Sequence, residues 1–264
     1  MSHTSWLTSF LAPPAPTNLL PTELLSTQFD RIHGTWRPLV DEWYSDGPGA
    51  ELVEELFRRR FLNRLEVMPK EPLRAFNLTP MPEVRIVILG EEPSSIGNVA
   101  DGLAFSSHIE HQYCSTTRGI IDELDRDLGF RDWGLTSLEH WARRGVLLLN
   151  MVLTVEHKTP RAHIGQGWEG LTDYVLQALA ADPVPKVFML WGKAPQTKAP
   201  MIQRAGNSHL VLESRAPALS YKVSTGGHLG CGHFSQAKQF LGAHGFEVDW
   251  TRGGVRNSVC EAVC

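Results

Sequence analysis

Gly145-Val146-Leu147-Leu148-Leu149-Asn150-Met151-Val152-Leu153-Thr154 is the stretch on which the fold turns. From Val146 to Leu153 it is apolar apart from Asn150, without the polar alternation of a half-buried strand. Such a run suits a strand covered on both faces. Three further runs share the pattern: Arg85–Leu89, Lys186–Trp191 and His209–Glu213. Helical patterns lie between them over Thr116–Leu128, Ser137–Arg144, Trp168–Ala180 and Lys193–Ala205, with a last helix over Ser235–His244. Short apolar strands alternating with helices predict an α/β fold, a parallel sheet with helices on both faces. Each strand ends in a polar or Gly/Pro-containing segment: Gly90–Pro93, Asn150, Gly192 and Ser214–Ser220. Ligands bind at the carboxyl ends of such strands, so these four segments are expected to share one site.

Working outward, the chain of 264 residues divides into an N-terminal arm (1–30), one domain (31–250) and a C-terminal tail (251–264). The arm is rich in proline and leucine, with a short helix expected from Thr22. From Trp36 to Phe61 the pattern is helical, interrupted by the turn signal Asp46-Gly47-Pro48-Gly49. The second of these helices is expected to point Leu52, Leu56 and Phe57 inward. Arg58-Arg59-Arg60 near its end reads as a solvated helix terminus ahead of a nucleic-acid patch. No run of 18 apolar residues occurs, so a membrane span is not expected. The first residues lack the basic start of a secretory signal. Cys114, Cys231, Cys260 and Cys264 lack CxxC spacing. Reduced thiols, no metal site and a cytoplasmic location are the expectation.

The residues with chemical potential are few. Ile88-Leu89-Gly90-Glu91-Glu92-Pro93-Ser94-Ser95 places two carboxylates at a strand end, followed by proline. Two readings fit: a solvated acidic turn at a helix start, or a carboxylate held as a general base or water-orienting group. Asn150, embedded in its apolar run, must find hydrogen-bond partners or cost a few kcal/mol. It either caps backbone groups or presents one donor and one acceptor to a ligand, as the edge of a nucleobase would require.

Taken in order, these segments resemble family 1 uracil-DNA glycosylase. The resemblance rests on the polar loop, Gly102-Leu103-Ala104-Phe105-Ser106, Leu147-Leu148-Leu149-Asn150, and His163 with Gly167-Trp168-Glu169. Leu190-Trp191-Gly192 and Gly230-Cys231 with His233-Phe234-Ser235 complete it, so that it spans about residues 36–245. It implies a three-layer α/β/α sandwich around a four-stranded parallel sheet. It also implies a monofunctional DNA N-glycosylase, a hydrolase that needs no cofactor or metal, works as a monomer and has DNA as its partner.

The catalytic motifs depart from the family pattern. Where the family has Gly-Gln-Asp-Pro-Tyr-His, this chain has Gly90, Glu91, Glu92, Pro93, Ser94 and Ser95. The water-positioning Asp is therefore Glu92, one methylene longer. The Tyr that closes off the pyrimidine C5 position is Ser94, and its His neighbour is Ser95. Where the family has His-Pro-Ser-Pro-Leu-Ser, this chain has Arg215-Ala216-Pro217-Ala218-Leu219-Ser220, so a permanent cation stands in place of the His that assists base departure, suited either to an anionic leaving base or to a phosphate or sugar. The connection Tyr221–Leu229 is long and glycine-containing, and His108–Cys114 replaces a proline-rich clamp, leaving Ser115 or Thr116 as phosphate contact.

The resemblance gives Glu92 and Arg215 catalytic roles, and Glu91, Ser94, Ser95, Phe105 and Asn150 contact with the base. Ser115, Gly192, Lys193, Pro217, Leu219 and Ser220 would contact DNA, Leu219 as the wedge that fills the space of the extruded base.

An open C5 wall favours a C5-substituted pyrimidine, hydroxymethylated or glucosylated, as the excised base. Some bacteriophages carry such bases throughout their genomes, which would make the protein a defence enzyme. Conventional uracil repair and an inactive DNA-binding relative are the alternatives. The net charge of −4 does not speak against DNA. Residues 186–264 hold nine Lys or Arg and four Asp or Glu, and the acidic excess lies wholly in residues 1–185. Local field governs phosphate binding.

Overall fold

The computed structural model describes residues 18–21, 23–96, 99–107, 115–130, 136–206, 208–217 and 228–251, and the backbone of 254–257. Helices α1 (Leu25–Phe29), α2 (Arg37–Asp46) and α3 (Ala50–Asn63) come first, then β1 (Val67–Met68), α4 (Arg74–Leu78) and β2 (Ile86–Gly90). Next are α5 (Ser115–Leu128), α6 (Glu139–Ala142), β3 (Val146–Asn150), β4 (Val155–Glu156) and α7 (Trp168–Ala181). The chain continues through β5 (Val187–Trp191), α8 (Lys193–Gln196), α9 (Ala199–Arg204), β6 (Leu210–Ser214), α10 (His233–Ala243), β7 (Phe246–Asp249) and β8 (Gly254–Asn257).

The four apolar runs form one parallel sheet in the order β3-β2-β5-β6. Every residue of β2, β3 and β5 is buried, whereas the edge strand β6 buries only Leu212 and Ser214. Helices pack on both faces, which gives the α/β/α sandwich anticipated from the strand pattern. Register aligns Gly90 with Asn150 and Trp191 with Ser214. All four segments nominated from the sequence therefore emerge at one edge.

Several sequence expectations change. The strand expected to reach Leu153 ends at Asn150, because Met151 and Val152 turn their amides to the carbonyls of Gly90 and Glu91, at 2.9 and 3.0 Å. The helix expected over Lys193–Ala205 is two short helices. Pro200 lacks an amide hydrogen and sits in the first turn of α9, where that absence costs nothing. Ser137–Arg144 yields only the single turn α6.

On α3 the buried face is Ala50, Val53, Leu56 and Phe57, spaced as one helical side, and Leu52 lies off it at 49% exposed. The short N-terminal helix starts at Leu25 rather than Thr22, and Leu20, Leu25 and Phe29 are buried in the main core. Those described residues of the expected arm thus pack as part of the domain. Within the expected tail, β8 pairs antiparallel with β7.

Candidate active site

Backbone bonds from two sides fix the loop after β2. From β3 come the amides of Met151 and Val152. From the turn after β4, Lys158 N donates to Ser95 O at 2.8 Å. Arg161 N donates to both carboxylate oxygens of Glu92, at 3.0 and 2.9 Å, and the Arg161 guanidinium reaches Glu91 Oε1 at 3.3 Å. Burial raises the Glu92 pKa above its ordinary 4.5, and the Glu91 charge adds to the rise. The Arg161 amide opposes both.

A second loop, 101–106, is folded around Asp101. Its carboxylate accepts from Ser106 Oγ at 2.7 Å and from Leu103 N at 3.1 Å, and it pairs with Arg74 Nη1 at 3.1 Å. Burial raises the Asp101 pKa, while Ser106 and Arg74 pull it down. This brace carries Phe105, whose backbone φ of +64° is unusual for an aromatic residue. The Phe105 ring leans on Trp191 at 5.3 Å between centroids.

Asn150 is 8% exposed, and its amide bonds to no other described residue, which leaves donor and acceptor free for a ligand. Its neighbour in register must be glycine. A Cβ on Gly90 would stand 2.4 Å from Asn150 Oδ1 and 3.2 Å from Phe105 Cζ.

These groups line a cavity of about 440 Å³, within the range of small-molecule sites. It brings together Glu91, Glu92, Ser94, Ser95, Phe105, Asn150, Ser115 and Gly192 of the residues nominated from the sequence. The wall contributed by residues 94–96 is Ser94, Ser95 and Ile96, with no aromatic ring. A groove of about 910 Å³ adjoins the cavity, since Glu91, Gly192 and Ala216 line both. Arg215 and Lys193 line the groove and not the cavity. Pro217 is buried and lines neither.

Leu219, Ser220, Lys222, the segments 108–114 and 221–227, and Cys114, Cys260 and Cys264 lie outside the described residues. Cys231 is a free thiol.

Beneath the groove, His228 lies 4.5 Å from Trp191 between centroids, with Nδ1 3.2 Å from Ser214 Oγ. His233 accepts from Trp191 Nε1 at 3.0 Å. Burial pushes these imidazoles down to about 3 and about 4, so both are neutral near pH 7. They buttress Trp191 and do not line the cavity. Arg161, Asp101 and Trp191 escaped the sequence reading as site residues, whereas Thr116, offered with Ser115 as the phosphate contact, lines the cavity. Trp191 lay within a quoted motif, whereas nothing in the order of residues marks Arg161, whose contact depends on how a distant turn folds back.

A stacking aromatic, an amide reader and a carboxylate loop at the carboxyl edge of a parallel sheet, beside a basic groove, suit an enzyme acting on a base drawn out of the helix. Its class is that of the DNA glycosylases. Residues 76–242 match the family model "Uracil DNA glycosylase superfamily", and the chain belongs to that superfamily.

A "Uracil-DNA glycosylase" of Albidiferax ferrireducens is 40% identical over 227 residues, covering 81% of this chain and 90% of the relative. One from Rhizobium meliloti is 40% identical over 223 residues, covering 83% and 90%. One from a Sinorhizobium species is 44% identical over 204 residues, covering 76% and 92%. The crystal structure of mimivirus uracil-DNA glycosylase superposes with a TM-score of 0.72 at 17% identity, over 82% of this chain and 86% of that one. This last likeness concerns the fold alone.

Proposed function

We propose that the protein hydrolyses the N-glycosidic bond of a pyrimidine flipped out of DNA, leaves an abasic site, and accepts a substituent at C5 of the base. In this reading Phe105 stacks on the base and Asn150 reads its Watson–Crick edge, donating to one ring atom and accepting from another. Glu92 orients a water whose oxygen bonds to C1′ as the bond from C1′ to the base breaks. The electron pair of that bond leaves with the base, and the proton lost by the water returns to base or solvent. The Glu92 carboxylate also stabilises the cationic sugar of the transition state. Its raised pKa makes it a stronger base than an ordinary glutamate carboxylate. Arg215 and Lys193, standing in the adjoining groove, serve the phosphate backbone rather than the leaving base.

The observation that carries the C5 assignment is the wall of Ser94, Ser95 and Ile96 on the same cavity as Asn150 and Phe105. Where the resembled family closes this wall with tyrosine, two hydroxymethyl side chains leave room and offer hydrogen bonds to a hydroxylated substituent. A second reading, uracil excision for repair, is favoured by relatives about 40% identical that carry that name. The two predict different substrates: C5-modified bases for an enzyme of defence against foreign DNA, uracil alone for repair. The test is release of free base from duplexes and single strands carrying uracil, thymine, 5-hydroxymethyl and glucosylated pyrimidines. Release from the modified DNAs supports the proposal, and release from uracil DNA alone rejects it for the second reading.

A further inference from the structure

Among the described residues, four that are not glycine have φ in the left-handed region: Arg64, Phe105, Lys158 and Arg161. Arg64 is the ordinary left-handed end of α3. The other three surround the candidate site. Strained backbone persists where its surroundings hold it, and it gathers at functional sites. Lys158 and Arg161 belong to one turn, closed by Thr159 N to Glu156 O at 3.0 Å, and both direct their amides at the 91–95 loop.

The Arg161 amide reaches both oxygens of Glu92, while the Arg161 side chain is 69% exposed and, among the described residues, pairs with the Glu91 carboxylate. A glutamate has one more rotatable bond than the aspartate of the resembled family, so its carboxylate needs an anchor to point one way. We infer that Arg161 is a positioning residue: its left-handed backbone presents the amide that holds the Glu92 carboxylate in its working orientation. This inference rests on Glu92 being the group that orients water. The extra methylene and the strained turn then match one another, since the longer side chain spans the gap to a turn 69 residues further along.

The test removes the amide and leaves the side chain in place, by incorporating the α-hydroxy analogue of arginine at position 161 so that an ester replaces the peptide bond. Glu92 is followed by ¹³C NMR of its carboxyl carbon across pH, and base release is measured on whichever DNA the wild-type protein cleaves. Loss of a hydrogen bond to a charged acceptor predicts an upward move of the Glu92 titration and a kcat lower by roughly ten- to a hundredfold. KM should stay within about twofold, because ground-state binding is untouched.

Arg161→Gly keeps the amide and adopts positive φ freely, losing the guanidinium that pairs with Glu91 and lines the groove. It should lower kcat less than the ester does and move the Glu92 titration upward by less, since the amide bond lowers the Glu92 pKa more than the guanidinium charge does. An ester variant that titrates as wild type overturns the inference. So does one whose titration moves while kcat does not. Should the wild-type protein release no base from any DNA, the proposed reaction fails, and the Glu92 titration still decides whether Arg161 holds the carboxylate.

Discussion

A single methyl group placed at Gly90 should damage the site with little effect on the fold. The Cβ of Gly90→Ala would lie 2.4 Å from Asn150 Oδ1, and 3.2 and 3.3 Å from Phe105 Cζ and Cε2. Ordinary contact begins at 3.4 Å, so the amide oxygen must retreat by about 1 Å and the ring by a few tenths. A misplacement of about 1 Å in a positioned group costs on the order of a hundredfold in rate. The backbone at Gly90 lies in a regular strand and lacks positive φ, so alanine itself is not strained there. Overpacking costs about 1–3 kcal/mol, which a domain of ordinary stability survives at 25 °C. Single-turnover base release, beside denaturant unfolding of the same preparation, separates the two effects. We expect kcat/KM to fall by roughly a hundredfold while the unfolding free energy falls by at most about 3 kcal/mol. A folded Gly90→Ala protein with wild-type kcat/KM would refute the placement of Asn150 and Phe105 as the pair that grips the base.

Three other outcomes follow from the same geometry. In the proposed reaction Glu92 acts as a carboxylate, so activity should fall as pH drops through its raised pKa; the acid limb of the rate profile should lie above 4.5, and Glu92→Gln should abolish activity at every pH. His228 and His233 titrate near 3 and near 4 in the fold against about 6.5 in the unfolded chain. The unfolded state therefore binds more protons, and stability is lost as pH falls from about 6.5 toward those values. At pH 5 the pair should lower the unfolding free energy by roughly 3–4 kcal/mol relative to pH 7.5, whereas denaturant curves that coincide at the two pH values would contradict their burial as neutral rings. Lys193→Ala or Arg215→Ala should weaken DNA binding and each reduce the slope of log affinity against log salt by about 0.9, with an unaltered slope removing that residue from the phosphate contacts.

How far the sequence alone leads depends on the kind of residue. The runs around Val87, Leu148, Phe188 and Leu212 announce a parallel sheet because doubly covered strands tolerate only apolar side chains, and polar residues mark their carboxyl ends. Glu92 and Asn150 were legible as candidates because each sits at or just beyond such an end, and Phe105 because it lies within a quoted motif. Arg161 was not, since its contribution is a main-chain amide and any residue type carries one. By type Arg215 suited either the leaving base or a phosphate, and only its place after β6, lining the groove, favours the second. Leu52 misled because an apolar residue near a helical stripe need not lie on it, and 100° of rotation separates it from Val53. The break before α9 hung on Pro200, whose effect depends on whether it falls in a first turn or an interior one.

The central claim, that an open C5 wall sets the substrate, is tested most directly by Ser94→Tyr. Free base released from DNA carrying uracil and from DNA carrying 5-hydroxymethylated or glucosylated pyrimidine is quantified for wild type and variant side by side. The account predicts that the wild-type protein releases the C5-substituted base, and that the tyrosine ring abolishes this release while sparing uracil. A wild-type protein that cleaves only uracil DNA, or a Ser94→Tyr variant that still releases the substituted base, would contradict it.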